Sequence, residues 1–328
     1  MIISRTPFRV SFVGGGSDLR EYYKSRPGSV VTTAIQRYMY VTVNKRFDRT
    51  VRVSYTKTEI VDRSCDLQHD LIREALDLVG IKGGVEITTI ADLPAGIGLA
   101  SSSTVTVGVL NALHAYRGRH VSAEELARQA CEIEIERLGR PIGKQDQYIA
   151  AYGGFQHIRF NSNDTVEVNP IICSQETHRR MASQLLLFYT GMQRSASTVL
   201  RDTKRRLESG GGVRETMDQM VELAEELRGR LLRQDGRHVG TILGRAWELK
   251  KRTGSKVTNA RLDGFYQRAL KAGADGGKIL GAGGGGCLLV SVRRSRQAAV
   301  RRALHTAGLT EVPFALEPEG SKIIYVGS

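Results

Sequence analysis

Apolar residues at Phe8, Val10, Phe12 and Val13 run into the triplet Gly14-Gly15-Gly16, the pattern of a strand closed by a turn. Similar runs at residues 39–43, 51–55 and 85–89 predict further strands, so a sheet forms early in the chain. Residues 94–98 break the pattern as a loop, and 101–116 read as a buried helix. Ser122, with Glu125 three residues on, opens a second helix that runs to about 138 and stops at Gly139 and Pro141. Residues 147–152 are predicted helical, and Gly153-Gly154 lead into a strand at 155–160. The polar stretch 161–164 predicts a hinge between two domains, 1–165 and 166–328. Beyond it come a strand at 185–189, helices at 198–207, 213–234 and 262–272, a glycine-rich segment at 276–286, and strands at 287–292 and 322–326 around a further helix. The expected class is α+β in two domains.

Composition narrows the chemistry. No stretch nears the roughly 18 apolar residues of a membrane span, and Arg5 and Arg9 interrupt the start, so a cytoplasmic protein without a membrane partner is expected. Cys65, Cys131, Cys173 and Cys287 are too widely spaced to suggest zinc or disulfides. Lys and Arg exceed Asp and Glu by 48 to 34, a net +14 that favours an anionic partner. The basic clusters at 201–206, 228–237 and 293–302 carry helical patterning and read as solvated faces. They lack interleaved aromatics, which weighs against nucleic acid; charge alone does not choose between a membrane surface and phosphorylated small molecules.

The strongest candidate site is Pro94-Ala95-Gly96-Ile97-Gly98-Leu99-Ala100-Ser101-Ser102-Ser103. Its glycines let backbone N–H groups approach an oxyanion, and the helix that follows presents its positive dipole end. One serine hydroxyl can cap the helix and another can bind a magnesium ion that bridges phosphates; the competing reading is an ordinary capped loop. Two other glycine motifs fail. Gly281, Gly283 and Gly286 have dinucleotide spacing, but a strand follows them where a helix is required. Gly277-Lys278 lacks both the first glycine and the Ser or Thr of a P-loop, having Ala272 and Ile279 there.

A magnesium ion that bridges phosphates at such a loop calls for a carboxylate beside it. At about 100° per residue, Glu134 falls in the apolar arc with Leu126, Ala130 and Ile133, whereas Glu132 and Glu136 face the polar side. A carboxylate there must be paired or metal-bound, so Glu134 is either a magnesium ligand or half of a buried ion pair.

The serine-rich loop resembles the ATP-binding motif of the GHMP kinases. Residues 6–19, from Thr6-Pro7-Phe8-Arg9 to Gly14-Gly15-Gly16-Ser17-Asp18-Leu19, look like that family's first motif, and Lys278 to Gly286 look like its third. The resemblance implies a ribosomal-protein-S5-like N-terminal α/β domain, a ferredoxin-like C-terminal α+β domain and an active site in the cleft between them. ATP and Mg2+ are the implied cofactors, with Pro94, Gly96, Gly98, Leu99, Ala100, Ser101, Ser102 and Ser103 at the phosphates and Ser102 and Glu134 at the metal. Ile133-Glu134 through Gly143-Lys144-Gln145-Asp146-Gln147 is similar to the galactokinase branch, where the matching glutamate binds magnesium and the matching aspartate is catalytic.

Asp146, expected in a loop after Gly143, would orient or deprotonate the acceptor hydroxyl with Arg9 beside it; otherwise it is a loop or cap aspartate. Asp18 matches an aspartate that binds sugar hydroxyls, or else makes an Asx-type turn. Gly15, Gly16, Ser17, Gly283 and Gly284 are implied beside the acceptor. Gly-Lys-Gln-Asp-Gln and the glycine triplet with Ser17-Asp18 most resemble the branch that phosphorylates the anomeric oxygen of D-glycero-D-manno-heptose 7-phosphate for nucleotide-activated heptose synthesis. Lys144 and Arg194 are the candidates for gripping the sugar's own phosphate, each also readable as a surface charge. The other readings are a kinase of an unphosphorylated sugar such as fucose or galactose and a non-catalytic RNA-binding protein. The partners expected are a sugar phosphate and ATP, with the chain alone or as a homodimer.

Overall fold

From Thr6 onward every residue of the first strand is buried, Arg9 and Ser11 included, which requires strands on either side and packing above and below. The computed structural model, which describes residues 1–193, 195–210 and 212–327, meets that requirement. Strand β1 (Ile2–Val13) is followed by a single turn, α1 (Arg20–Tyr23), and the long β2 (Gly28–Lys45). Next come β3 (Val51–Ser54), β4 (Thr58–Val61), α2 (Asp70–Val79) and β5 (Val85–Ala91). Helices α3 (Ser101–Tyr116), α4 (Ala123–Cys131) and α5 (Gln145–Tyr152) precede the hairpin β6 (Phe155–Phe160) and β7 (Val166–Pro170).

These strands, with one from the far end of the chain, make an eight-stranded sheet. Its path begins at that last strand and runs β1-β2-β5-β3-β4, with β6 and β7 joined to the other end of β2. All pairs are antiparallel except β3 with β5. Helix α3 is buried almost all round and packs against the sheet so closely that a Cβ on Gly108 would lie 2.9 Å from Thr6 Oγ1.

The second half opens with α6 (Gln175–Gln184), β8 (Leu185–Tyr189), α7 (Ala196–Glu208), α8 (Val213–Leu232) and α9 (Val239–Arg252). It continues through α10 (Ala260–Lys271), β9 (Gly276–Ile279), β10 (Cys287–Ser291), α11 (Arg294–Thr306) and β11 (Thr310–Glu311). A four-stranded antiparallel sheet in the order β11-β8-β10-β9 covers a core built on Trp247, Leu262 and Phe265. The final strand, β12 (Lys322–Val326), returns to the first sheet beside β1.

The expected divide at 165 and 166 falls inside the β6–β7 hairpin, whose strands pair from Gln156–Pro170 to Phe160–Val166. We place the divide after β7, with β12 belonging to the N-terminal unit. Helices α2, α6 and α9 form where no helix was expected. Among the described residues no helix is long and apolar enough to cross a membrane.

Candidate active site

A cavity of about 260 Å³ lies where α3 begins, lined by residues from both halves of the chain. The helix starts at Ser101 after Ala100, whose φ of 70° is left-handed, and no side chain caps its N-terminus. The competing reading of the serines as caps is therefore not what the chain adopts. Unspent N–H groups and the dipole point into the cavity, and Ser101 Oγ, also at its wall, is buried without a partner. Gly98 has to be glycine: its φ is 82°, and a Cβ would stand 2.7 Å from Leu280 O. The third glycine motif thus supports the phosphate loop from behind.

Ser102 and Glu134 meet at one edge of this loop, with Ser102 Oγ donating to Glu134 Oε2 at 2.6 Å. Glu134 has no exposed surface, as its place in the apolar arc required. It sits in a π-helical turn, Glu132–Arg137, which leaves its carbonyl for the Arg140 amide at 2.9 Å. Gln147 Nε2 donates to Glu134 Oε1 at 3.1 Å, and Arg140 Nη1 donates to Ser102 Oγ at 2.6 Å while lying 3.6 Å from Glu134 Oε2. Asp70 anchors the other edge of that guanidinium with two bonds of 2.9 Å. Burial pushes the Glu134 carboxyl up, opposed by its bonds to Ser102 and Ser103, the charge of Arg140 and the bond from Gln147. Two hard oxygens this close suit a magnesium ion, which takes one or two protein oxygens and completes its shell with phosphate and water.

Across the cavity stands Asp146, in the first turn of α5 and not in a loop. Arg9, 4% exposed, grips it with both prongs, Nε to Oδ1 at 2.8 Å and Nη2 to Oδ2 at 2.9 Å. Arg9 Nη1 donates to Gly98 O at 2.7 Å, so one guanidinium ties the aspartate to the phosphate loop. Ser11 Oγ donates to Gln145 Oε1 at 2.9 Å, and Gln145 Nε2 to Asp146 Oδ1 at 3.0 Å.

Asp18 is buried nearby and accepts from the amides of Gly16 at 2.9 Å and Gln145 at 3.2 Å. Burial raises its pKa and the Asp146 charge adds to the rise, opposed by those amides and by Lys250. The approach of residues 143–146 to Asp18 depends on Gly143, where a Cβ would lie 2.0 Å from Asp18 Oδ2. Gly143→Ala is expected to raise the KM for the acceptor about 100-fold, the scale of a 1 Å misplacement, with ATP affinity nearly unchanged. Steady-state kinetics with each substrate varied in turn would show this, and an effect confined to ATP would contradict it.

Several expected site residues lie elsewhere. Lys144 turns from the cavity, donating to Asp164 O at 3.1 Å with its ammonium 5.1 Å from the Tyr23 ring centre, because Asp164 supplies a carbonyl and a carboxylate and Tyr23 of α1 a ring at one place. Ser17 is fully buried and exchanges bonds with the Ser29 backbone, at 3.0 Å to its carbonyl and 3.1 Å from its amide. Leu99 is a core residue, Pro94 does not line the cavity, and Gly281 and Ala282 stand at its wall where Gly283 and Gly284 were expected. Arg194 lies outside the described residues.

Three lining cations escaped the sequence reading: Arg140, Lys250 and Lys278. Lys278 had a usable signal, a lone charge between Gly276-Gly277 and Ile279-Leu280. Lys250 had Trp247 and Leu243 at helical spacing on its own face.

Two family models match the chain: the GHMP kinases N terminal domain over residues 68–154 and the GHMP kinases C terminal domain over residues 215–309. The chain is 30% identical to D-glycero-alpha-D-manno-heptose 7-phosphate kinase of Campylobacter jejuni, across 98% of each chain. It is 25% identical to a galactokinase of Pyrococcus furiosus, across 92% of each. Among solved structures, a D-glycero-D-manno-heptose 1-phosphate kinase from Bacteroides thetaiotaomicron superposes with a TM-score of 0.83 at 28% identity, covering all of both chains. On both family models and on a relative matched over nearly its whole length, this chain belongs to the GHMP kinase family of ATP-dependent phosphotransferases.

Proposed function

We propose that the protein transfers the γ-phosphoryl group of ATP to the anomeric hydroxyl of a heptose that already bears a phosphate, D-glycero-D-manno-heptose 7-phosphate, giving the 1,7-bisphosphate. The observation that carries a sugar hydroxyl as acceptor is Asp146, held by both prongs of Arg9 across the cavity from the helix N-terminus. The choice of sugar is supported by the Campylobacter jejuni relative, similar over nearly the whole length of both chains.

The chemistry asks for positioning and charge compensation more than for covalent steps. Amides of the loop and first turn of α3 hold the β- and γ-phosphates. Asp146 orients the acceptor hydroxyl and takes its proton as the oxygen attacks phosphorus, while Arg9 fixes the carboxylate and balances its charge. Asp18, immobilised by two amides, positions a neighbouring hydroxyl of the sugar. Ser102 Oγ and Glu134 Oε2 would hold Mg2+, which, when bound, neutralises charge on the phosphates.

The relatives named above differ over where the acceptor's phosphate sits, and the turn of Lys144 toward Asp164 gives weight to a second reading, an unphosphorylated sugar. ADP release measured with heptose 7-phosphate, heptose 1-phosphate, free heptose, fucose and galactose decides between them. The highest kcat/KM is expected for heptose 7-phosphate; a preference for any unphosphorylated sugar would sink the proposal.

A further inference from the structure

The acceptor end of the cavity holds more buried positive charge than its carboxylates balance. Lys250 of α9 and Lys278 of β9 line the cavity at only 5% and 4% exposure. An ammonium carries three N–H donors. Each of these spends one on a backbone carbonyl, Lys250 on Gly15 O at 2.9 Å and Lys278 on Phe12 O at 3.0 Å. Neither forms an ion pair with a carboxylate among the described residues. Asp146 is bound by Arg9, and both oxygens of Asp18 are taken by amides. Burial holds both ammonium groups below their ordinary range; Lys278, which also feels Lys250 and Arg9, is pushed down to about 7. Counted in their charged forms, three buried basic groups, Arg9 included, face two carboxylates, and an anion reaching the lysines would draw them back to those charged forms, since a buried charge is costly until an opposite one meets it.

Position tells which anion would do so. The phosphate loop has its own donors in the α3 amides and Arg140, and neither lysine ammonium bonds an atom of residues 94–103. Both are fastened to β1 and the turn after it, the wall that presents Asp18. We propose that Lys250, backed by Lys278, forms the subsite for the acceptor's own phosphate and so sets the preference for a phosphorylated sugar. This rests on the sugar phosphate reading above. It moves the role expected of Lys144 to a helix of the C-terminal half. Two compact ammonium groups with unspent donors suit a terminal phosphate, whose oxygens accept from several directions.

Lys250→Met tests this, because it keeps the length of the stem and removes the charge. The quantity read is the ratio of kcat/KM within sugar pairs that differ only by a phosphate: heptose with and without its 7-phosphate, and mannose with and without a 6-phosphate. Binding of a non-hydrolysable ATP analogue is measured in parallel by calorimetry. Loss of a charged hydrogen bond predicts that the ratio falls about 10- to 100-fold, mainly through KM, with partial recovery in Lys250→Arg and analogue affinity within about 3-fold of wild type.

The proposal is overturned if the ratio survives in K250M, if both members of each pair lose equally, or if the folded variant instead binds the analogue poorly. A wild type without preference for the phosphorylated member removes both the sugar phosphate reading and this subsite; a wild-type preference that K250M retains removes the subsite alone. Should K250M fail to melt cooperatively, Lys250→Gln, which keeps an N–H donor for Gly15 O, is judged by the same criteria.

Discussion

Asp146→Asn is expected to lower kcat about 1,000-fold while the affinity for a non-hydrolysable ATP analogue stays within about 3-fold, the middle of the range for removing a general base. The amide fills the same volume, and one prong of Arg9 still finds an oxygen. It cannot take the acceptor's proton, and its NH2 group faces a guanidinium donor that had been paired. The fall should appear in kcat more than in the KM for sugar, since the interaction strengthens as the hydroxyl loses its proton. Single-turnover measurements at saturating substrates check this directly. Turnover near the wild-type rate would take Asp146 out of the base role and leave it as an anchor for Arg9.

Glu134→Gln is the second large effect. It keeps the bulk, but its NH2 replaces one of the two oxygens that accept from Ser102 and Gln147, so one of those bonds is lost or reversed, and it removes the anion from a site with no solvent exposure. Turnover is expected to fall about 100-fold, and the Mg2+ concentration for half-maximal analogue binding to rise about 10-fold, as for loss of a ligating carboxylate.

Stability of the ligand-free protein should move the other way. The folded-state pKa of Glu134 is raised above its unfolded value, with burial the leading cause. Its stabilising share is then complete below the ordinary glutamate range near about 4.3 and is lost as pH rises toward the raised folded value. Asp18 is raised likewise and contributes with the same sign. Glu134→Gln should therefore flatten part of the decline in melting temperature with rising pH and leave the Asp18 part. A decline unchanged in the variant would show that Arg140 and the serines already compensate the buried charge.

Much of this site was legible because its parts are local. A glycine loop before a helix, a Ser122 cap on the Glu125 amide at 3.2 Å and a carboxylate in an apolar arc are each written within a few residues. Glu134 was found by periodicity alone, although a π-helical turn differs from the 100° step assumed; the error over two or three residues is too small to move it off the buried face. Helix α9 was missed for an equally local reason. Gly240 and Gly244 weaken its helical signal, and the inward Lys250 reads as a polar break in the apolar stripe. Gly143 and Lys144 delay any recognisable start, so the pattern reads residues 145 and 146 as loop, whereas the chain begins α5 at Gln145.

The sequence by itself determined the longer strands of both sheets, the glycine loop before α3, the buried carboxylate and the family to which they point. These are properties of hydrogen bonding and burial along short stretches, and they survive any arrangement of the rest. Tertiary structure alone decided that Lys144 would turn to Asp164 and that Lys250 and Lys278 would arrive at the wall holding Asp18. Where a long charged side chain points is set by which partners packing brings within a few ångströms. For residues 9, 18, 146, 250 and 278 those partners come from parts of the chain far apart in sequence, so no local pattern records their meeting.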